Sequence, residues 1–142
     1  MDEIPKASAE EFGHLGLVAA IIKKFEITER IEKLIPKTSN NQKVTHADAI
    51  LAMIYQGLGF GDGRLYFAKE HFSNKPMELL FSKDITAAML NDDVLGAALD
   101  AVYAYGPTNF FANVAFQILS ENGMMSRFAH IDSTTHSFQG RE

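Results

Sequence analysis

The stretch Val44-Thr45-His46-Ala47-Asp48-Ala49-Ile50-Leu51-Ala52-Met53-Ile54-Tyr55-Gln56-Gly57-Leu58 decides the fold. Thr45 and Asp48 stand three residues apart, the spacing at which a hydroxyl and a carboxylate satisfy each other's backbone donors at a helix start. Behind them Ala47, Ile50, Leu51, Ile54 and Leu58 recur every three or four residues, the period of a helix with one buried face. A capped, apolar helix in the middle of the chain predicts a helical domain built around it.

The same period runs outward in both directions. Upstream, Leu15, Val18, Ile21, Ile22 and Phe25 mark one helix, and Ile27, Ile31, Leu34 and Ile35 mark a second that Pro36 ends, the two forming a short hairpin or bent pair. Between Pro36 and Val44 the segment Lys37-Thr38-Ser39-Asn40-Asn41-Gln42-Lys43 has no apolar residue to bury and reads as a loop. Downstream, Gly57, Gly59, Gly61 and Gly63 close the central helix and turn the chain into a helix over 64–72. The glycines follow a helix and lack a Gly-Lys-Ser/Thr, so they do not form a phosphate cradle.

Pro76 opens a short helix through Met77, Leu80 and Phe81, and Asp84 caps another carrying Ile85, Ala88 and Met89. Asn91 caps a longer helix with Leu95, Ala98, Leu99 and Val102 inward, stopped at Gly106-Pro107. Thr108 caps the last helix, whose Phe110, Phe111, Val114, Ile118 and Leu119 read as core, and Gly123 terminates it. After Gly123 the texture changes. Residues 127–138 alternate loosely and are rich in strand formers, predicting a strand or hairpin with nothing further in the 142 residues to pair with. The expected organisation is a tail over 1–12, a helical domain over 13–123, and the start of a second domain over 124–142.

Composition narrows the function. Apolar residues make up 46% of the chain and charged residues 22%, enough for a core and against wholesale disorder. The absence of cysteine excludes disulfides, thiolate metal sites and cysteine nucleophiles. No apolar run reaches the roughly 20 residues of a membrane span, and the acidic N-terminus lacks the form of a signal peptide. A cytoplasmic protein without a membrane partner is expected.

The net charge of −5 argues against a protein that coats nucleic acid, but the charge is uneven. Residues 23–43 hold six basic side chains against three acidic ones, whereas 44–142 hold six against eleven. Any phosphate-facing surface lies early. The competing reading places these lysines on solvated helix faces, with Glu26/Arg30 and Glu29/Lys33 as i,i+4 pairs.

Among groups that could carry chemistry, Asp132 stands out, a carboxylate at the end of a short apolar strand followed by Ser133, Thr134 and Thr135. On spacing alone a strand-end turn cap explains it better than metal binding does. His130 and His136 flank it without a fourth ligand, and Asp92, Asp93 and Asp100 suit a helix N-terminus better than a catalytic pair.

Four blocks carry a family likeness: Leu15-Gly16-Leu17-Val18, Val44 through Ile50, Leu90-Asn91-Asp92-Asp93-Val94-Leu95-Gly96 with Ala98-Leu99-Asp100, and His130-Ile131-Asp132-Ser133-Thr134 through Phe138-Gln139-Gly140. With them the chain resembles the N-terminal part of a bacterial or archaeal insertion-sequence DDE transposase, in the branch that begins with a helical domain of unknown function. The resemblance implies that 124–142 is the truncated start of an RNase H-like domain and that Asp132 is its first metal-binding carboxylate. The second Asp and the Glu have no counterpart. Mg²⁺ is therefore expected only of a full-length enzyme, and this chain, a truncated enzyme on that reading, is expected to need no cofactor and to have no activity alone.

What remains for the chain itself is transposon-end DNA binding, by a helix-turn-helix-like pair over 27–35 and 45–58 with Lys37 and Lys43 on phosphate and Asn40, Asn41 and Gln42 on base edges. The alternative is an oligomerisation or scaffold domain with a homodimer as partner. An autonomous nuclease built from Asp132 with Asp92, Asp93 or Asp100 is the third and weakest reading.

Overall fold

Seven α-helices follow one another among the residues that the computed structural model describes, which are 6–59, 67–81 and 84–125. They are α1 (Lys6–Lys24), α2 (Ile27–Leu34), α3 (His46–Leu58), α4 (Ala68–Phe72), α5 (Met77–Leu80), α6 (Asp92–Tyr105) and α7 (Pro107–Glu121), with one 3-10 turn at Ala87–Met89 before α6. The domain is mainly helical, as the periodicity predicts. The expected strand over 127–138 lies outside the described residues.

The centre is α3. Its start is closed as its sequence demands, with the Thr45 hydroxyl accepting from the Asp48 N–H at 3.1 Å and the Asp48 carboxylate accepting from the Thr45 N–H at 3.0 Å. All of its first seven residues are buried, His46 and Asp48 included, and it packs against α6 and against α1, α2 and α4. Tyr55, fully buried, donates its hydroxyl to the Leu80 carbonyl at 2.8 Å and meets Phe81 edge-on at 5.6 Å, which fastens α5 to α3. Burial pushes the Tyr55 phenol up to about 12.

The bend expected between the first two helices is a turn at Phe25-Glu26, where Glu26 takes φ 51°, a left-handed conformation that side chains ordinarily avoid. That conformation places Glu26 outside α2. Arg30 does not make the i,i+4 pair with it that the spacing suggests. It donates to the Phe25 carbonyl at 2.8 Å, to Gln117 on α7 at 3.4 Å, and forms an ion pair with Glu121. A local pair is replaced by a clamp between α2 and α7.

Several boundaries differ from the sequence reading. Helix α1 begins at Lys6, inside the expected tail, because Ala7, Ala9, Glu10 and Glu11 favour helix. Gly59 ends α3 with φ −84°, so it is not a left-handed cap; a Cβ there would stand 2.7 Å from the His71 ring, and space is what demands glycine. Asp84 caps nothing: Thr86 precedes the 3-10 turn that stands where a helix is expected. Helix α7 starts from Gly106, at φ 99°, with Pro107 first, so Thr108 lies inside the helix. Gly123 closes α7 as expected, at φ 64°, with the Met124 N–H on the Leu119 carbonyl at 2.8 Å.

The largest difference concerns α7 itself. Phe110 and Val114 pack on the core, but no residue of α7 is buried, and Phe111 is 73% exposed. Leu99, placed inward by the sequence reading, is exposed, as are Tyr103, Phe116, Leu119, Met124 and Met125. No helix among the described residues is long and apolar enough to cross a membrane.

Candidate nucleic-acid interface

The polar segment between α2 and α3 is a closed loop held at both ends by the core. Ile35 and Val44 are buried, and between them Lys37, Thr38, Ser39, Asn40, Asn41 and Lys43 are exposed. Gln42 braces the loop from within, its amide oxygen accepting from the Thr38 N–H at 3.1 Å and from the Thr38 hydroxyl at 3.2 Å. Its own N–H donates to the Ser39 carbonyl at 3.2 Å, and the Ser39 hydroxyl accepts from the Asn41 N–H at 3.2 Å. Of the five expected contact residues, four stand at the surface and Gln42 is half-buried as a brace. Its role as a loop brace left no trace in composition, although the Thr38/Gln42 spacing of four is the only hint.

The electrostatics of this surface follow from spacing. From Lys33 to Ala47 the chain carries Lys33, Lys37 and Lys43, all exposed, and no carboxylate. The first acid afterwards, Asp48, is buried in the cap of α3. The loop is therefore a short basic surface on an acidic protein.

The helix-turn-helix-like arrangement does not survive the tertiary structure. A recognition helix must present its first turns to a groove. Those turns of α3 are the most buried part of the molecule, committed to α6 and α2. On this side the loop, and not α3, is what stands exposed.

Other candidate groups do not converge. Asp92, Asp93 and Asp100 are exposed along α6, the first two in its opening turn, where the helix dipole favours them. His14 contacts the Leu58 carbonyl at 2.8 Å, His46 is buried at the start of α3, and His71 lies against Gly59, so the three serve separate places. No group of three or more His, Cys, Asp or Glu among the described residues is placed to hold a metal ion. Asp132, His130 and His136 lie outside the described residues.

A cleft of about 330 Å³ lies over Phe72, Met77, Ile85 and Ala87. A smaller one, of about 220 Å³, opens between α1, α2, α3 and α5, lined by Ala19, Ile22, Thr28, Asp48, Leu51 and Tyr55 among others. It is below the roughly 300 Å³ at which small-molecule pockets begin. Its buried polar groups are engaged structurally, Asp48 in the cap and Tyr55 on the Leu80 carbonyl.

No curated protein and no solved structure matches the chain. Residues 7–116, running from the first turns of α1 into α7, match a family described as Domain of unknown function (DUF4277). With most of its length and its whole helical core inside that match, the chain belongs to the DUF4277 family.

Proposed function

We propose that this chain is the N-terminal helical domain of an insertion-sequence DDE transposase and that it binds transposon-end DNA through the loop over 37–43. The observation that supports the reading is the carboxylate-free run from Lys33 to Ala47, held out from the core between Ile35 and Val44. Lys37 and Lys43 contact phosphate, and Asn40 and Asn41 reach base edges. On the same reading 124–142 begins an RNase H-like domain, Asp132 is its first metal-binding carboxylate, and Mg²⁺ belongs to the full-length enzyme.

The test is fluorescence anisotropy with a labelled transposon-end duplex and a scrambled one at low and moderate salt. Two lysine–phosphate contacts give a loss of roughly 12-fold in affinity between 50 and 200 mM salt. Lys37→Ala with Lys43→Ala removes most of that slope. Absence of binding to either duplex at low salt defeats the reading. An assembly role for the domain is the second reading, favoured by the apolar surface that α6 and α7 leave exposed.

A further inference from the structure

Helix α7 gathers Asn109, Asn113, Gln117, Ser120 and Glu121 on one side and is mostly apolar over the rest of its circumference. Phe110, Val114, Gln117 and Glu121 occupy the side turned to α6 and α2. At 100° per residue the opposite side holds Phe111, Ala112, Ala115, Phe116 and Leu119 within an arc of about 140°. Phe111 is 73% exposed and Phe116 59%. From Ala101 to Ser120 there is no charged residue at all.

The centre of this face is symmetrical. Phe111-Ala112-Asn113-Val114-Ala115-Phe116 reads the same in both directions apart from its central pair. A two-fold axis through the middle of that pair, with two α7 helices antiparallel, sets Phe111 of one copy beside Phe116 of the other and Ala112 opposite Ala115. The alanines permit close approach, and each phenylalanine ring finds the space left by a small residue. An isologous interface repeats every residue against its two-fold mate, so a face without charge brings no like charges together.

Large apolar side chains supply most of the area that a dimer needs. The five exposed on α7 and the turn after it, Phe111, Phe116, Leu119, Met124 and Met125, present roughly 540 Å², taking about 200 Å² for each fully exposed residue. A stable interface buries about 800 Å² per partner.

We infer that the outer face of α7 is the interface of a homodimer in which two copies of this chain cross antiparallel about the centre of the Phe111–Phe116 segment. The inference rests on the assembly reading and gives it a partner, a second copy, and a register. It is independent of DNA binding, and salt separates the two: a neutral apolar interface holds or tightens as salt rises, whereas phosphate contacts weaken.

Sedimentation velocity on the 142-residue chain across a concentration series tests it. The unaltered chain is expected to dimerise, and Phe111→Glu or Phe116→Glu to weaken the dimer by about 30-fold or more, the loss typical of a central aromatic anchor. Leu17→Glu, at an exposed position on α1, is the control and leaves the dimer intact. Both phenylalanines are exposed, so circular dichroism of the variants is expected to match the parent. A monomer at every concentration overturns both the interface and the assembly reading. A dimer indifferent to both glutamates overturns the interface and leaves the assembly reading standing. Because the chain has no cysteine, the register is read by oxidation: Ala112→Cys mixed with Ala115→Cys is expected to crosslink faster than either variant alone, and equal rates refute the antiparallel register.

Discussion

Thr45→Ala strikes the one helix on which the others pack. Its hydroxyl accepts from the Asp48 N–H at 3.1 Å, and its proton reaches the Asp48 carboxylate at 2.9 Å or Glu32 at 3.3 Å. Thr45 is 5% exposed and Asp48 3%, so water cannot replace what the hydroxyl supplies. Loss of an N-cap costs about 1 kcal/mol in exposed helices and up to about 2 in folded proteins. A buried N–H left without its acceptor costs about 1–3 kcal/mol. The two describe the same lost bond, and its burial puts the expected loss near 2 kcal/mol. For a domain of this length that corresponds to a fall of about 8 °C in Tm. Urea unfolding followed by circular dichroism measures it, with Thr45→Ser expected to recover most of the stability. Because Asp48 answers Thr45 through the Thr45 N–H at 3.0 Å, the double variant with Asp48→Ala should lose at least about 1 kcal/mol less than the sum of the single ones. A loss below about 0.5 kcal/mol, or strict additivity, refutes the role given to this cap.

Gly59→Ala is expected to destabilise by about 1–3 kcal/mol, since the new methyl meets the His71 ring at 2.7 Å and the Tyr55 carbonyl at 3.1 Å; unchanged thermal stability would show that the ring moves aside freely. Tyr55→Phe removes the bond to the Leu80 carbonyl and should cost about 1 kcal/mol. It also changes the alkaline limb. The folded phenol stays protonated up to about 12, while the unfolded one ionises near about 10, so its contribution is intact below pH 10 and declines from there to pH 12; the phenylalanine variant should lack that decline in unfolding curves across this range. At the acid end, the Arg30 guanidinium, through its hydrogen bond, holds the Glu121 carboxyl below its ordinary value. The clamp therefore contributes in full above the usual glutamate pKa of about 4.3 and loses its contribution as pH falls through the lower folded value. Glu121→Gln should make that acid loss smaller, and an unaltered acid profile would mean that the pair carries no stability.

Much of this architecture is readable without coordinates, because the signals are local. The Thr45/Asp48 spacing specifies a helix start that depends on four consecutive residues, and the Asn91 cap, whose side chain accepts from the Val94 N–H at 3.0 Å, is of the same kind. The polarity of 37–43 likewise identifies a loop, since a segment with nothing apolar to bury has nothing to hold it in a core. Four of the five residues expected to meet DNA are therefore where composition puts them, at the surface.

What pattern could not supply is which face of each element meets which neighbour. Arg30 has Glu26 four residues before it and Glu121 ninety-one residues after it, and only the packing of α2 on α7 selects the distant one. Apolar spacing makes α3 a helix without telling that its first turns are enclosed on all sides, which is what removes it from any role as a recognition helix. Gly59 looks like a conformational glycine and is a steric one, because His71 arrives from another helix. The same holds for α7, where periodicity distinguishes apolar from polar positions but cannot distinguish an apolar face turned to its own core from one turned outward. Sequence determined most of the helices, the caps at Thr45 and Asn91 and the basic loop, since each depends on residues within a turn or two. The tertiary structure decided that Phe110 and Val114 go inward while Phe111 and Phe116 remain outside, because burial is settled by what the rest of the chain brings against a helix.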